Sequence, residues 1–128
     1  MRLLLDTCTF LWALSGEPPL PVRVADMVQD PGNDVFLSAA SAWEIAIKYA
    51  VGKLKLPADP ARFVPAMRAE RGFTALAVDE ESALHIAKLP ALHGDPFDRL
   101  LVAQAIVHGM TILTPDPILA RYPARTMW

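Results

Sequence analysis

Four carboxylates in this 128-residue chain stand where chemistry is possible. Asp6 ends an apolar run, Glu44 opens an apolar helix pattern, Asp98 follows Asp95-Pro96-Phe97, and Asp116 comes just after a β-branched stretch. Thr7 and Thr114 lie beside two of them and could orient a water or a carboxylate. Taken singly, each acid has a plain structural use. Asp98 completes a capping arrangement with Asp95; Glu44 is the acidic member of a capping box begun by Ser41, or pairs with Lys48 one turn on. Asp6 caps a helix starting near Thr9, and Asp116 sits between two prolines in a turn. Taken together they imply something else. Carboxylates within about 4 to 6 Å of one another repel and drive at least one pKa upward, so a cluster of them calls for a cation. Oxygen-only donors favour Mg²⁺ or Mn²⁺ over zinc, and such an ion can activate water against a phosphodiester.

Whether the four meet depends on the elements that carry them. Asp95-Pro96-Phe97-Asp98 reads as a helix N-terminus, with Asp95 capping, Pro96 at the first helical position and Asp98 at the third. The helix continues from Arg99 to His108, apolar on almost every side and therefore buried, and stops at Gly109. Met110 to Thr114 is a short internal strand bounded by Pro115, and Asp116 follows. In a parallel α/β sheet, a helix feeding a strand begins at the edge where that strand ends, so Asp98 and Asp116 return to the same edge. That edge is where open α/β sheets bind ligands.

The rest of the chain repeats the alternation. Leu3-Leu4-Leu5 suits a central strand covered on both faces. Helices are expected over Thr9 to Leu14 and Pro21 to Asp30, separated by the turn Ser15-Gly16-Glu17-Pro18-Pro19. A second strand covers Val35 to Ser38, and Ser41-Ala42-Trp43-Glu44 opens a helix to about Val51 with Gly52 as its stop. A further helix fits Pro60 to Arg71, and a third strand Gly72 to Val78. Asp79-Glu80-Glu81-Ser82 then starts a helix to about Lys88, and Arg125 to Trp128 adds an edge strand. The expected fold is α/β, with a mainly parallel sheet of four or five strands and helices on both faces. The edge argument places Asp6 and Glu44 with Asp98 and Asp116; strand order, which decides whether they touch, is not fixed by sequence.

Composition narrows the class. Hydrophobic residues make up 53% and charged residues 20%, which argues against disorder and for a single domain over residues 1–128. No apolar run approaches the roughly 18 residues of a membrane span. The acid at position 6 breaks the N-terminal apolar run too early for a signal peptide, so a cytoplasmic location is expected. Cys8 is the only cysteine, excluding an intramolecular disulfide or a cysteine-based metal site. The net charge of -2 gives no general attraction to nucleic acid, leaving that role to local cations such as Lys48, Lys53, Lys55 and Arg99. His93 and His108 could serve as ligands or bases, but a lone His beside a helix end is more often structural or exposed; Trp12 and Trp43 read as core, and Cys8 as a small buried hydrophobe.

Four stretches together resemble the PIN-domain ribonucleases, in particular the VapC-type toxins of type II toxin-antitoxin pairs. They are Leu3-Leu4-Leu5-Asp6-Thr7 with Leu11-Trp12; Ser38 to Lys48 with Gly52-Lys53-Leu54; Asp95 to Ala105; and Thr114-Pro115-Asp116. The resemblance implies a three-layer sandwich whose strand order gathers Asp6, Glu44, Asp98 and Asp116 into an acidic site for Mg²⁺, with Mn²⁺ as substitute. Asp6, Asp98 and Asp116 match the family's principal metal-site acids, Glu44 the acid that completes the pocket, and Thr114 a small hydroxyl residue. Asp95 and Arg99 match further residues of this subgroup. The resemblance also implies RNA as substrate, a homodimer, and a small antitoxin that covers the site. Cys8 and Gly94 depart from the pattern, which often has His or Asn at the first position and a basic residue at the second. Two other readings remain open: a PIN-fold binding partner without catalysis, and a receiver-like phosphoacceptor module for which Asp79 is available but a late lysine is missing.

Overall fold

Leu3, Leu4 and Leu5 are all inaccessible to solvent, although successive side chains of a strand point to opposite faces. The strand they form, β1 (Arg2–Leu5), must therefore be covered on both sides. Leu4 packs with Leu100, Leu101 and Val102 on one face, while Leu3 and Leu5 pack with Phe10, Val24 and Val64 on the other. The result is a helix–sheet–helix sandwich. The computed structural model describes all residues from 1 to 128.

In chain order the elements after β1 are α1 (Thr7–Ser15), α2 (Val22–Gln29), β2 (Asp34–Ser38), α3 (Ala39–Ala50) and α4 (Pro60–Glu70). There follow β3 (Thr74–Leu76), α5 (Glu80–His85), α6 (Pro96–His108), β4 (Thr111–Leu113) and β5 (Arg125–Met127). Short 3₁₀ turns at Ile86–Lys88 and Leu119–Arg121 complete the chain. The five strands form one sheet in the order β3-β2-β1-β4-β5, and every pairing is parallel. The chain moves outward from β1 through β2 to β3, then returns across β1 to β4. The reversal lies between β1 and β4, and the crevice at such a point is where open sheets of this type take ligands. No helix is long and apolar enough to cross a membrane.

Several boundaries differ from those read in the sequence, each for a local reason. Helix α1 begins at Thr7 instead of near Thr9, because Asp6 itself is the N-cap and accepts from the Thr7 N–H at 2.7 Å. Helix α3 begins directly after β2, with Ser38 capping the Ala40 N–H. Glu44 therefore lies in the second turn, and the capping box built on Ser41 does not form. Trp43 is not core: it is 58% exposed and meets Phe97 edge to face at 4.8 Å. The third strand spans three residues, not seven. The strand order also departs from the 2-1-3-4-5 arrangement of receiver-like folds, which removes that alternative.

One polar side chain crosses the interior. Gln104 of α6 is fully buried; it accepts from Ser38 Oγ at 2.5 Å and donates to the Ala77 carbonyl at 3.1 Å. This ties α6 to the exits of β2 and β3. Gly109, at φ +65°, ends α6 in the left-handed region that glycine adopts without penalty.

Candidate metal centre

Register places the first pair of side chains. Leu5 lies opposite Leu113 across the β1–β4 ladder, so the next residues, Asp6 and Thr114, leave the sheet side by side. Thr114 Oγ1 donates to Asp6 Oδ2 at 2.6 Å, and the Asp116 N–H donates back to Thr114 Oγ1 at 3.1 Å. Asp6 is only 6% exposed. Burial raises its carboxyl above the ordinary value, Glu44 adds to the rise, and the bonds from Thr114, Thr7 and Cys8 oppose it.

On the other side of β1, α3 starts immediately after β2, so its second turn passes over the start of α1. Thr7 Oγ1 donates to Glu44 Oε1 at 2.7 Å and is hydrogen-bonded to Ser41 Oγ at 2.9 Å. The other Glu44 oxygen accepts from Lys48 Nζ one turn on. This pairing holds the Lys48 ammonium above its usual range.

Helix α6 brings the third acid. Asp95 caps it by accepting from the Phe97 and Asp98 N–H groups at 2.8 and 3.4 Å, and Pro96 occupies the first turn. Asp98 then faces back toward the ends of β1 and β4. Burial, followed by the charges of Asp6 and Asp95, pushes its carboxyl up to about 7. A carboxylate this reluctant to ionise beside other acids lacks sufficient positive charge around it.

Asp6, Glu44, Asp95, Asp98 and Asp116 line one cleft of about 530 Å³, together with Thr7, Cys8, Lys48 and Lys53. The donors are mostly carboxylate oxygens drawn from five separate positions in the chain, and the two lysines cannot neutralise five acids. That donor set fits a hard divalent cation of the Mg²⁺ or Mn²⁺ kind.

A model of the PIN domain matches residues 3–125. The chain belongs to the PIN-domain family. This PIN domain is 48% identical over 59 residues to Ribonuclease VapC16 of Mycobacterium tuberculosis, a match spanning 46% of the chain and 42% of that protein. Its fold is similar to the crystal structure of VapBC2 from Rickettsia felis bound to a DNA fragment from their promoter, with a TM-score of 0.75 and 17% identity, covering 100% of this chain and 99% of that one. It is also similar to DNA-bound VapBC from Salmonella typhimurium (TM-score 0.68, 17% identity, 99% and 97% covered). A further likeness is to FitAcB from Neisseria gonorrhoeae (TM-score 0.62, 21% identity, 98% and 96% covered). At these identities the structural likenesses speak for the fold.

Within the PIN domain, not every residue singled out from sequence reaches the cleft. Arg99 turns its guanidinium to the carbonyls of Ile86 and Pro90 and to the Tyr122 hydroxyl, clamping the loop before α6. Cys8 is only partly buried and lines the cleft, where its thiol donates to Asp6 Oδ2 at 3.6 Å. Its partial exposure departs from the small buried hydrophobe expected, and burial and the Asp6 charge push that thiol up to about 12, so it is no thiolate ligand.

His93, read in sequence as structural or exposed, instead reaches the acids. Its Nε2 lies 3.2 Å from both Asp98 Oδ2 and Asp116 Oδ2. One potential ligand atom from each of these three residues falls within 4.8 Å of the others.

Proposed function

We propose that this PIN domain is a divalent-metal-dependent endoribonuclease, the toxin of a toxin-antitoxin pair. The observation that carries the reading is the cleft itself. Acids from the segments just after β1 and β4 and from α3 and α6 converge there, two with carboxyls raised by burial and mutual charge. The stretch of identity to a protein named a ribonuclease supports RNA as the substrate, and the likeness to VapBC assemblies supports an antitoxin partner.

Asp6, Asp98, Asp116 and Glu44 would hold the cation. When bound, it supplies Lewis-acid polarisation of the scissile phosphate and of the attacking water. The protein's own groups do the rest. Thr114 and the Thr7 N–H fix the two Asp6 oxygens in direction, and the Thr7 hydroxyl does the same for one oxygen of Glu44. Lys48 and Lys53 supply the local positive charge that a phosphate backbone needs on a chain of net charge -2. Asp95 sets the first turn of α6 and so the direction of Asp98. No side chain becomes covalently attached to the substrate. Action as a homodimer in the cytoplasm, with its cleft covered by the antitoxin when inhibited, belongs to the same proposal.

The test is cleavage of a mixed RNA pool by the purified full chain, freed of co-purifying partner, with Mg²⁺, Mn²⁺ or EDTA, beside Asp98→Asn prepared identically. Metal-dependent cleavage that falls at least about a hundredfold in the variant is expected, since removal of one charge-stabilising group costs on that order. A folded wild-type chain without nuclease activity in either metal would leave the reading as a catalytically silent antitoxin-binding partner in its place.

A further inference from the structure

His93 reaches the acids of the cleft, and the proposed chemistry leaves it without work. It sits in the loop before α6, and both sides of the residue are fixed. Its backbone N–H donates to the Tyr122 hydroxyl at 2.9 Å, and Tyr122 is itself buried. Its ring Nδ1 accepts from the Asp95 N–H at 3.0 Å, so the ring is tied to the cap of the helix that carries Asp98. The remaining nitrogen, Nε2, then points between Asp98 Oδ2 and Asp116 Oδ2 at 3.2 Å from each.

The Asp95 bond decides what Nε2 can do. A neutral imidazole has one donor and one acceptor nitrogen. Because a backbone N–H can only donate, Nδ1 is the acceptor and the hydrogen is on Nε2. A histidine that ligates a metal has the opposite arrangement: its metal-facing nitrogen offers a lone pair, and its far nitrogen donates outward to a carbonyl or carboxylate. His93 is wired as a donor: Nε2 is hydrogen-bonded to Asp116 Oδ2, and Asp98 Oδ2 lies at the same 3.2 Å distance. Proximity alone would count it as a third ligand beside Asp98 and Asp116, but the hydrogen-bond directions oppose that.

We infer that His93 is a positioning residue of the metal site: its ring, tied to the cap of the helix that carries Asp98, hydrogen-bonds Asp116 through Nε2–H and so holds Asp116 beside Asp98, and it stays outside the coordination sphere of the ion they bind. The inference rests on the metal reading proposed above. It separates two kinds of change at one position. His93→Gln keeps an amide donor near the place of Nε2. His93→Asn keeps an acceptor near the place of Nδ1, so the Asp95 N–H retains its partner and the loop its shape, but the donor no longer reaches the carboxylates.

The experiment is Mn²⁺ binding to the purified full chain, followed by titration and by electron spin-echo spectroscopy, which detects a directly coordinated nitrogen. Wild-type protein is expected to bind Mn²⁺ with no coordinated ¹⁴N. His93→Asn is expected to lose about 10–100-fold in Mn²⁺ affinity at unchanged thermal stability, as removal of an outer partner of ligating groups does, and His93→Gln to recover most of that loss. A ligand-type ¹⁴N coupling in the wild type, wild-type affinity in His93→Asn, or equal weakness in both variants would overturn the inference. Failure of the metal reading looks different: no Mn²⁺ binding by the wild type, or binding untouched by Asp98→Asn, removes the site and the role of His93 with it.

Discussion

At the scale of single residues, the cleft is governed by hydrogen-bond donors as much as by acids. Asp6 is a buried carboxylate whose second oxygen depends on Thr114 Oγ1 at 2.6 Å, and that hydroxyl also accepts from the Asp116 N–H. Thr114→Val preserves shape and removes both bonds. Reducing a buried carboxylate oxygen to its long Cys8 contact and leaving a nearby N–H unpartnered is expected to destabilise the protein by about 1–3 kcal/mol and to raise the Asp6 carboxyl further. Denaturant unfolding measures the first effect; a shift of metal binding toward higher pH measures the second. Unchanged stability would mean that the Thr114 bonds contribute nothing net. The placing of Asp6, Asp98 and Asp116 at one sheet edge was legible in sequence because each follows or precedes a recognisable element end. His93 was not legible, since its place is set by a bond to the backbone of Asp95 that no pattern of residue types announces. Nor was Trp43, which follows the apolar helical period but lies on the outer face of α3.

At the scale of elements, the buried Gln104 holds the cleft's framework. By joining Ser38, the cap of α3, to the Ala77 carbonyl beyond β3, it fixes α6 against two strand exits. Gln104→Leu retains the volume but strands the buried Ser38 hydroxyl, a cost of about 1–3 kcal/mol, and removes the tie to the Ala77 carbonyl. Thermal unfolding is expected to occur several degrees earlier, while cleavage per folded molecule is unchanged because Gln104 does not line the cleft. A variant as stable as the wild type would show that water replaces the lost partners. The succession along the chain of the strands, four or five of them, and of the main helices could be read from the alternation of apolar runs with Gly and Pro punctuation. The start of α3 could not. Ser38 and Ser41 are both acceptable caps, and only the packing of α3 against β2 chooses the first, which moves Glu44 one turn deeper and brings it to Thr7.

At the scale of the whole molecule, gathering five acids into one cleft makes stability depend on pH and on metal together. Asp98 has a carboxyl raised by burial from 3.8 to about 7, so the folded state holds its proton more tightly than the unfolded chain does. The sign follows: its contribution to stability is fully present below 3.8 and is lost as pH rises through about 7. Asp6 is raised as well and adds in the same direction. Metal-free protein is therefore expected to melt at falling temperature across that window, and Mg²⁺ to reverse the fall, more effectively as pH rises and the proton ceases to compete. A melting temperature flat across this window, with and without Mg²⁺, would contradict the coupling. Strand order was the whole-molecule fact missing from the sequence. Placing β2 and β4 on either side of β1 is a tertiary choice, and it decides whether acids far apart in the chain share one site.

The most direct measurement is the anomalous difference map of crystals of the full chain grown or soaked with Mn²⁺. The account predicts a peak in the cleft within coordination distance, about 2.0–2.2 Å for a small oxygen-bound dication, of carboxylate oxygens of Asp6, Asp98 or Asp116, with His93 Nε2 outside that shell. A cleft empty of manganese in crystals whose Mn²⁺ binds elsewhere, or a peak held by His93 and not by the acids, would contradict it.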